Sequence, residues 1–336
     1  MITIQIDGEN YQNFKSAFVN VSIDNLARGF ELTMSATEDN LLPFYVGKAC
    51  KIVVDGNTLL TGYIDKSDVS AGVTEHSILL SGRSQLADLI DSSVKPKEYD
   101  KLNYIDICKS VLSDLNINVS VVNKVGTITP FKDNVVSVTG EKAFKFLEKL
   151  GRKKQVLLND DVDGNLVITR AGSEVTGVNI IREKEGLKNN ILSSRSVQDI
   201  SKRYNAYVFD GENSIFESTD SPEVMLNQLG KAIDSEIRGS RYLELDTEGT
   251  YDSSLSINRA IWERNLRKAK FGVYSCVMQG HSYDKKIIPH NSLIYVKDDY
   301  CGIDKELLVV SIVYRYDLQQ GSLRQITFSD PKAYEL

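Results

Sequence analysis

Apolar and polar positions alternate along the first quarter of the chain. Up to about residue 92, hydrophobic residues recur at every second position, and glycine turns separate the runs, as at Gly56-Asn57 between residues 51–55 and 58–64. A period of two is typical of strands with one buried face, and a short loop containing Gly and Asn is typical of a hairpin. These residues therefore predict a small antiparallel β-domain, in which a strand from His76 to Ser81 ends at Gly82 and a short helix follows.

The period changes to that of a helix after residue 92. Two stripes recur every three or four positions: Ile105, Cys108, Val111, Leu112 and Leu115, then Ala143, Phe144, Leu147 and Leu150. Strands at 155–158 and 166–171 follow, joined by a turn at Asp163-Gly164. Residues 93–172 therefore predict an inserted α/β domain.

The remaining residues predict a second β-region that helices interrupt. We expect polar strands at 173–196 to return to the first β-domain, and 204–209 to begin another sheet. Two helices are predicted, one with the stripe Leu226, Leu229, Ile233 and Ile237 after Ser221-Pro222-Glu223, the other with Ile257, Ile261, Trp262, Leu266 and Ala269. Strands at 307–314 and 323–329 close the chain.

These patterns predict a multidomain α+β protein with two small antiparallel β-barrel-like domains. The first comprises 1–92 with 173–196, the inserted α/β domain 93–172, and the second 197–336. The two β-regions echo each other weakly: Leu59-Leu60 and 78–81 have rough counterparts in Leu307-Leu308 and 326–329. Strand-rich sequence also produces such echoes by chance, so a repeat and a coincidence both stay open.

Composition narrows the classes of function. The 336 residues are 41% hydrophobic, which is enough for more than one core. Forty Lys and Arg against 46 Asp and Glu give a formal charge of −6, which argues against general binding to the phosphate backbone. The N-terminus has no secretion-signal pattern, and no apolar run is long enough to cross a bilayer. We therefore expect folding in the cytoplasm, without membrane insertion, and burial of the scattered thiols Cys50, Cys108, Cys276 and Cys301.

No motif for catalysis, cofactor binding or metal binding is complete, so we predict no such site residues. His76 begins a strand, and His281 and His290 flank a loop, so the three histidines offer little for a catalytic triad. The spacing of His281 and His290 with Asp284 or Cys276 matches no compact metal motif. The nucleophile elbow and the phosphate-binding loop are both absent from the sequence.

Several acidic and basic groups imitate functional sites. The run Asn159-x-Asp161-x-Asp163-Gly164 begins like a calcium loop, but Arg170 stands where a bidentate Glu is needed, which favours a hairpin turn. The pairs Asp160/Asp161 and Glu183/Glu185 resemble acid/base pairs, although neighbours on a strand point apart. Three further groups are better explained by solvation or packing than by DNA or partner contacts: Arg152-Lys153-Lys154, Trp262, and the set Arg264, Arg267, Lys268 and Lys270.

One stretch carries a family resemblance. A Thr-Gly-Tyr-Ile-Asp strand at 61–65 is followed by Ser-Gly-Arg-Ser at 81–84 and Asp-Leu-Ile-Asp at 88–91. Further matching segments are 16–19, 22–30, Pro289-His290-Asn291, 302–304, 306–309 and the terminal 329–334. Together they resemble the baseplate hub proteins of Mu-like contractile-tailed phages. Departures are Ile287-Ile288, where the family often has Trp, and residues 210–246, which match nothing in the family.

The resemblance implies a non-enzymatic structural protein. Mu-like and T-even hub proteins carry two similar β-barrel tube domains per chain and trimerise, so that six barrels form a ring. By this resemblance we expect a homotrimer in the tail baseplate that contacts the tail tube protein, a separate central spike protein and other baseplate proteins. DNA would pass through it without specific binding. Because the sequence ends two residues after Tyr334, we expect a partner to supply any lytic activity.

Two other classes stay open from the sequence. The 16 tyrosines suit a carbohydrate- or envelope-binding β-module, and the acidic pairs suit a tail-associated peptidoglycan hydrolase. A genome-carrying phage and an R-type bacteriocin would need the same hub.

Overall fold

The fold is built mainly of antiparallel strands. The computed structural model describes residues 1–36, 46–73, 76–132, 134–172, 174–186, 189–210, 230–246, 253–283 and 286–334. The predicted helix that begins at Ser221 lies largely outside these residues. The α+β, multidomain fold class predicted from the sequence is the one observed.

Seven strands form the N-terminal region: β1 (Ile2–Ile6), β2 (Glu9–Tyr11), β3 (Ser16–Ser22), β4 (Gly29–Ser35), β5 (Ala49–Val54), β6 (Asn57–Ala71) and β7 (His76–Ser84). The hairpin between β5 and β6 turns through Asp55 and Gly56, both at positive φ, and pairs Val54 with Asn57. The sequence also predicts a two-residue turn here, but at Gly56-Asn57, one residue later than the turn that is observed.

The inserted region has its own core. Its elements are α1 (Ala87–Asp91), β8 (Lys97–Tyr99), α2 (Tyr104–Asp114), β9 (Val121–Asn123), β10 (Val135–Ser137), α3 (Ala143–Lys153), β11 (Leu157–Asp160) and β12 (Leu166–Thr169). Asn103 caps α2, since its side-chain oxygen accepts a hydrogen bond from the Asp106 N–H. The apolar stripes of α2 and α3 pack together, with Tyr104, Phe146 and Leu147 fully buried. Both predicted helices and the hairpin of β11 and β12 are confirmed.

The C-terminal part returns to strands around one long helix. Its elements are β13 (Glu174–Arg182), β14 (Ser193–Gln198), β15 (Ala206–Asp210), β16 (Gly230–Ile233), β17 (Tyr242–Asp246), α4 (Ser253–Phe271), β18 (Gly272–Gln279), β19 (Ser292–Asp298), β20 (Ile303–Asp317), β21 (Gly321–Ser329) and a 3₁₀ turn at Pro331–Tyr334. The helix predicted around Trp262 is α4. Strands β16, β15 and β17 make a separate three-stranded sheet that packs on α4.

One sheet path joins the two ends of the chain. Its order is β14-β18-β21-β20-β3-β4-β7-β6-β5-β1-β2, and β13 and β19 branch from β20. The path runs through both β-regions and does not form two separately closed barrels. The N-terminal strand β3 pairs with the C-terminal strand β20 from Ser22–Ser311 to Ser16–Asp317, so the two regions share backbone hydrogen bonds.

The pairing of residues 173–196 differs from the expectation. Strand β13 pairs with β19, and β14 pairs with β18, so this segment joins the C-terminal strands and not the first 92 residues. A period of two identifies a strand and its buried face but says nothing about which strand it pairs with, and this is why the expectation is wrong.

The two β-regions contain the same five-strand arrangement. We call β3, β4, β5, β6 and β7 unit 1, and β14, β18, β19, β20 and β21 unit 2. In each unit the second strand pairs with the first and the fifth, and the long fourth strand pairs with the third and the fifth. The fourth strands, β6 and β20, each have 15 residues, and the fifth strands, β7 and β21, each have nine.

The long strands also bend at matching positions. Strand β6 changes partner from β5 to β7 at Gly62 and Tyr63, and β20 changes partner from β19 to β21 at Leu308. A register shift follows each change, between Ile64 and Lys66 in β6 and between Val309 and Ser311 in β20. A bulge bends a strand and lets it serve two sheets. The two β-regions are therefore a structural repeat. In this repeat Leu80 corresponds to Ile326, whereas the sequence echo aligns Leu80 with Phe328, two residues later.

Two other expectations need correction. The sequence predicts that Gly82 ends the strand, but β7 continues to Ser84, and a Cβ at Gly82 would lie 2.1 Å from the Tyr63 carbonyl oxygen. Close packing inside the sheet requires a glycine at position 82. The predicted stripe through Ile233 is not helical there, since Ile233 ends β16 and pairs with Ala206. Gly230 packs against the Ser256 backbone of α4, which leaves no space for a side chain.

The close approach at Gly62 gives a prediction about stability. A Cβ at Gly62 would lie 1.9 Å from the Arg83 carbonyl oxygen, whereas a Cβ at Gly29 in β4 would find its nearest neighbour at 3.8 Å. We expect Gly62→Ala to destabilise the protein by about 3 kcal/mol or more, and the matched Gly29→Ala by less than about 1 kcal/mol. Chemical denaturation followed by circular dichroism measures both, and equal effects would contradict this account of the bend.

Candidate assembly site

A charged cluster explains the strongest sequence motif. Arg83 on β7 donates from Nε to Asp65 Oδ2 (2.6 Å) and from Nη2 to Asp91 Oδ2 (2.7 Å). The aspartates stand on β6 and on α1, so one guanidinium connects the Thr-Gly-Tyr-Ile-Asp, Ser-Gly-Arg-Ser and Asp-Leu-Ile-Asp segments. The hydrogen bonds between these groups lower the pKa of Asp91 and raise that of Arg83. All three groups are partly exposed, so solvent weakens the pairing.

A buried ion pair connects unit 1 to the inserted domain. Arg28, which lies between β3 and β4, donates from Nε to Asp160 Oδ1 (2.8 Å), and its backbone N–H donates to Asp160 Oδ2 (3.1 Å). Its Nη1 donates to the Leu59 carbonyl and its Nη2 to the Asp160 carbonyl. Burial raises the pKa of Asp160, and Arg28 opposes that rise. Because both side chains are almost fully buried, each needs the other.

Neighbouring amides extend this junction to unit 2. Asn159 Nδ2 donates to the Ser22 carbonyl (3.0 Å), and its Oδ1 lies 2.9 Å from His290 Nε2. Burial, Arg28 and Lys124 lower the pKa of His290 to about 3, so the imidazole is neutral and donates this hydrogen bond. Asn291 binds the Gly172 N–H through Oδ1 and donates to the Arg170 carbonyl. The Pro289-His290-Asn291 segment therefore holds the inserted domain against unit 2.

A cavity of about 370 Å³ lies where the three parts meet. Arg28, Asp160, His290 and Asn291 are among its lining residues. Arg28 and Asp160 bind each other, while His290 binds Asn159 and Asn291 binds the backbone of Gly172 and Arg170. Their arrangement serves to fix the three parts together, and it presents no nucleophile next to a base.

The candidate acidic sites are used in structural contacts. Asp161 Oδ1 accepts hydrogen bonds from the backbone N–H groups of Asp163 and Asn165, so the calcium-like run is a hairpin turn with Gly164 at positive φ. Asp160 is separated from Asp161 by its burial against Arg28. Glu183 accepts a hydrogen bond from Lys297 Nζ (2.6 Å), while Glu185 is exposed.

The histidines and thiols are dispersed. His76 is exposed on β7, and His281 Nε2 lies 2.8 Å from the Arg315 carbonyl oxygen. Cys50, Cys108 and Cys276 are buried as expected, but Cys301 is only half-buried, and all four are free. Within the described ranges no group of three His, Cys, Asp or Glu side chains is placed to hold a metal ion. Asp284 lies outside these ranges.

Most basic side chains of α4 are paired within the chain. Arg267 Nε donates to Glu263 (2.6 Å), Lys268 donates to Glu236 (3.0 Å), and Arg264 donates to the Ile233 carbonyl. Lys270 is exposed. Trp262 is buried, as a packing residue would be. This pairing leaves little of the helix charge for contact with DNA.

The other predicted basic run is also in local contacts. Arg152 pairs with Glu148 one turn earlier on α3, and Lys154 Nζ lies over the Phe131 ring. The exposed tyrosines are separated in the fold: Tyr242 lies on β17 of the small sheet, and Tyr300 lies in the turn between β19 and β20 of the large sheet. No helix in the described part of the chain is long and apolar enough to span a bilayer.

Several strands have an open edge in the part of the chain that the structure describes, and two of these edges, on β14 and on the end of β6, lie in the repeated units. Strand β14 pairs with β18 on one side, and its residues from Arg195 to Gln198 are exposed. Residues 66–71 of β6 pair with β7 on one side only. The open edge of a sheet presents unpaired N–H and C=O groups that another strand can bind. Sequence patterns do not identify either edge, because edges are set by which strands pair.

Comparisons with known proteins agree with this architecture. Residues 1–84 match the family of the Mu phage baseplate assembly protein GpP-like, N-terminal domain, and residues 86–170 match the second domain of the baseplate hub protein gp44-like family. Baseplate hub protein gp44 of Escherichia phage Mu is 21% identical over 347 residues, which cover 99% of this chain and 88% of that protein.

Two solved structures share the fold over nearly their whole length. The prophage MuSo2 43 kDa tail protein from Shewanella oneidensis superposes with a TM-score of 0.85 at 25% identity, covering 99% of this chain and 98% of that one. The tail protein from Neisseria meningitidis MC58 gives a TM-score of 0.86 at 15% identity, with 99% and 97% covered. The fold is therefore that of a phage tail structural protein.

Both matched domains and the full-length relative are baseplate hub proteins of Mu-like phages, and the chain is a baseplate hub or tail structural protein. The families and relatives that it matches are structural components and not enzymes. The sequence resemblance is confirmed.

The buried ion pair generates a stability prediction. Asp160→Asn removes the charge that compensates Arg28, and an uncompensated buried guanidinium should destabilise the protein by about 3 kcal/mol or more. Asp163→Asn in the same turn is the matched control, because Asp163 is exposed, and we expect a change within about 0.5 kcal/mol. Urea denaturation measures the free energy of unfolding of both variants. An Asp160→Asn variant as stable as the native protein would contradict the importance of the junction.

The charged cluster on β7 predicts a pH dependence. Arg83 lowers the pKa of Asp91, so the pairing stabilises the fold above the usual Asp pKa and is lost as the pH falls through the folded-state pKa. Arg83→Gln should cost up to about 1 kcal/mol at neutral pH, and this difference from the native protein should shrink below about pH 4. Lys95→Gln, which removes an exposed charge, is the control in thermal melts across pH. A difference that stays constant with pH would contradict the assignment.

Proposed function

We propose that three copies of this baseplate hub protein form a ring that joins the sixfold tail tube to a threefold central spike and leaves a path for DNA. Each copy contributes two β-units, so three copies supply six similar units. The ring then presents near-sixfold symmetry towards the tube and true threefold symmetry towards the spike.

The duplicated unit is the observation that carries this proposal. Units 1 and 2 share strand order, strand lengths, the change of partner in the long strand and the bulge that follows it. A protein that needed only one binding surface would have no use for two copies of one unit in a continuous sheet. A subunit that joins a threefold partner to a sixfold partner needs two similar units, because three copies of it then present six units.

The domain division follows from the same units. We propose two tube domains, one centred on unit 1 and one on unit 2, with the inserted α/β domain between them in sequence. The inserted domain is fixed to both units through Arg28, Asp160, Asn159 and His290. A rigid three-part junction suits a protein that transmits force from the contracting sheath to the spike.

The charge distribution suits a passage for DNA. The formal charge is −6, and the basic side chains of α4 are largely occupied by Glu263, Glu236 and backbone carbonyls. Tight nonspecific binding needs clusters of free cations. In this proposal DNA crosses the hub without adhering to it, within a tail baseplate assembled in the host bacterial cytoplasm.

The proposed stoichiometry gives a direct prediction. Sedimentation equilibrium of the purified chain at micromolar concentration should show a species of three times the 37.6 kDa chain mass. If the chain needs a partner to assemble, adding tail tube or spike protein should produce a complex that contains three copies. A single copy under both conditions would contradict the ring.

The proposed passage of DNA gives a second prediction. At physiological salt, a short DNA duplex should not be retarded by the assembled ring in an electrophoretic mobility assay, because the formal charge of each chain is −6 and the basic side chains of α4 are largely paired. A positively charged DNA-binding protein in a parallel lane is the control. Retardation that disappears with added salt would show a phosphate-binding surface and contradict this part of the proposal.

A further inference from the structure

The contact between units 1 and 2 inside one chain supplies a template for a contact between chains. The first strand of unit 1, β3, pairs along its outer edge with the fourth strand of unit 2, β20. The corresponding strands are β14 in unit 2 and β6 in unit 1. Both have an open edge among the described residues: β14 pairs only with β18, and residues 66–71 of β6 pair only with β7.

The correspondence can be fixed residue by residue. The residue before the bulge is Ile64 in β6, which pairs with Gly82, and Val309 in β20, which pairs with Phe328. Gly82 therefore corresponds to Phe328. Two residues earlier, the buried Leu80 of β7 corresponds to the buried Ile326 of β21. The second strands then align with their buried side chains in step: Phe30, Leu32 and Met34 with Tyr274, Cys276 and Met278. The pairings with these aligned strands extend the correspondence to their neighbours. Val69 of β6 then corresponds to Tyr314 of β20, and Ser196 of β14 corresponds to Val19 of β3.

We propose that β14 of one copy pairs antiparallel with residues 66–71 of β6 in the next copy, with Ser196 directly opposite Val69. This register repeats the Val19–Tyr314 pair of the contact inside the chain. The inference rests on the proposed ring and names the strands and the register that close it.

The charges at this proposed interface are complementary. The register places Lys66 opposite Asp199, where the contact inside the chain has Ser311 opposite Ser22. Asp68 lies diagonally across from Arg195 on the same face. Both pairs bring opposite charges within cross-strand range, where they favour this alignment over others. A shift by one residue would put Lys66 on the other face from Asp199.

The exposure of Val69 agrees with the same register. Val69 is 44% exposed, whereas Tyr314 at the corresponding position is 1% exposed beneath the pairing with β3. A second strand alongside β6 would cover Val69 in the same way. The exposed valine is thus accounted for by a neighbouring strand that the next copy supplies.

Disulfide trapping tests the register directly. Directly opposite residues in an antiparallel pair have Cα atoms about 4.5 or 5.5 Å apart, which lies within disulfide range. We would introduce Val69→Cys and Ser196→Cys together in a Cys301→Ser background, because the other three native thiols are buried. Mild oxidation should convert most chains into covalently linked dimers and trimers on a non-reducing gel.

The matched control moves one thiol by a single residue. Val69→Cys with Val197→Cys places the two thiols on opposite faces of the proposed pair, so it should cross-link no more than either single-cysteine variant does. Each variant is first weighed by sedimentation, which reports the ring independently of the cross-link.

The outcomes separate this inference from the proposed function. A trimer that cross-links with Val69→Cys and Ser196→Cys, but not with the shifted pair, supports both proposals. A trimer that cross-links with neither pair, or with the shifted pair, overturns the register and leaves the ring intact. A chain that stays monomeric with and without tube and spike protein overturns the ring, and the interface with it.

Charge exchange gives an independent check. Lys66→Glu places a carboxylate opposite Asp199 and should raise the dissociation constant of the assembly about fivefold. Asp199→Lys alone should do the same, and the double variant Lys66→Glu with Asp199→Lys should restore assembly. Additive losses in the double variant would overturn the proposed opposition of these two residues.

Discussion

The antiparallel pairing of β3 with β20 connects the beginning of the chain to its end. Through it, seven residues of the N-terminal region complete a sheet made by residues more than 280 positions later in the sequence. Backbone hydrogen bonds are directional and regularly placed, so this contact fixes both the distance and the orientation between units 1 and 2. Other features follow from that constraint: two similar units in a continuous sheet, an open edge on β14 and on the end of β6, and an inserted domain seated at the junction of the units.

Side-chain chemistry in this protein mainly serves the same purpose. Arg83 joins three motif segments within unit 1, and Arg28 with Asp160 joins that unit to the inserted domain. His290 has a strongly lowered pKa, a property that often marks a catalytic base, but its imidazole is buried against the Asn159 amide. A perturbed pKa is therefore a consequence of the tight junction here and not a sign of catalysis.

The sequence alone predicts the local structure well, for physical reasons. The stripes of α2 and α3 and the Asp163-Gly164 hairpin depend on neighbouring residues, and all of them are observed. The hairpin of β5 and β6 is observed too, with its turn at Asp55-Gly56, one residue earlier than predicted. Partner choice depends on distant residues, so the pattern at 173–196 points to the wrong sheet. Gly82 looks like the end of a strand because the close approach of Tyr63 leaves no trace in the local pattern.

In the candidate site, too, features set by neighbouring residues are predictable from the sequence, and features set by distant residues are not. The motifs predict that catalytic groups are absent, but they do not predict the connecting roles of Arg28 and His290, although both lie in the family segments. The triad of Arg83, Asp65 and Asp91 carries a usable signal, since one Arg lies between two Asp residues in segments that resemble the family. The open edges carry none, because an edge is defined by which strands pair.

The most direct test of the account is electron microscopy of the negatively stained assembly. Class averages report the symmetry, the number of lobes and the central opening in one measurement. The account predicts a threefold particle with six peripheral lobes around a hole. Compact single-chain particles, seen even when tail tube or spike protein is present, would contradict it.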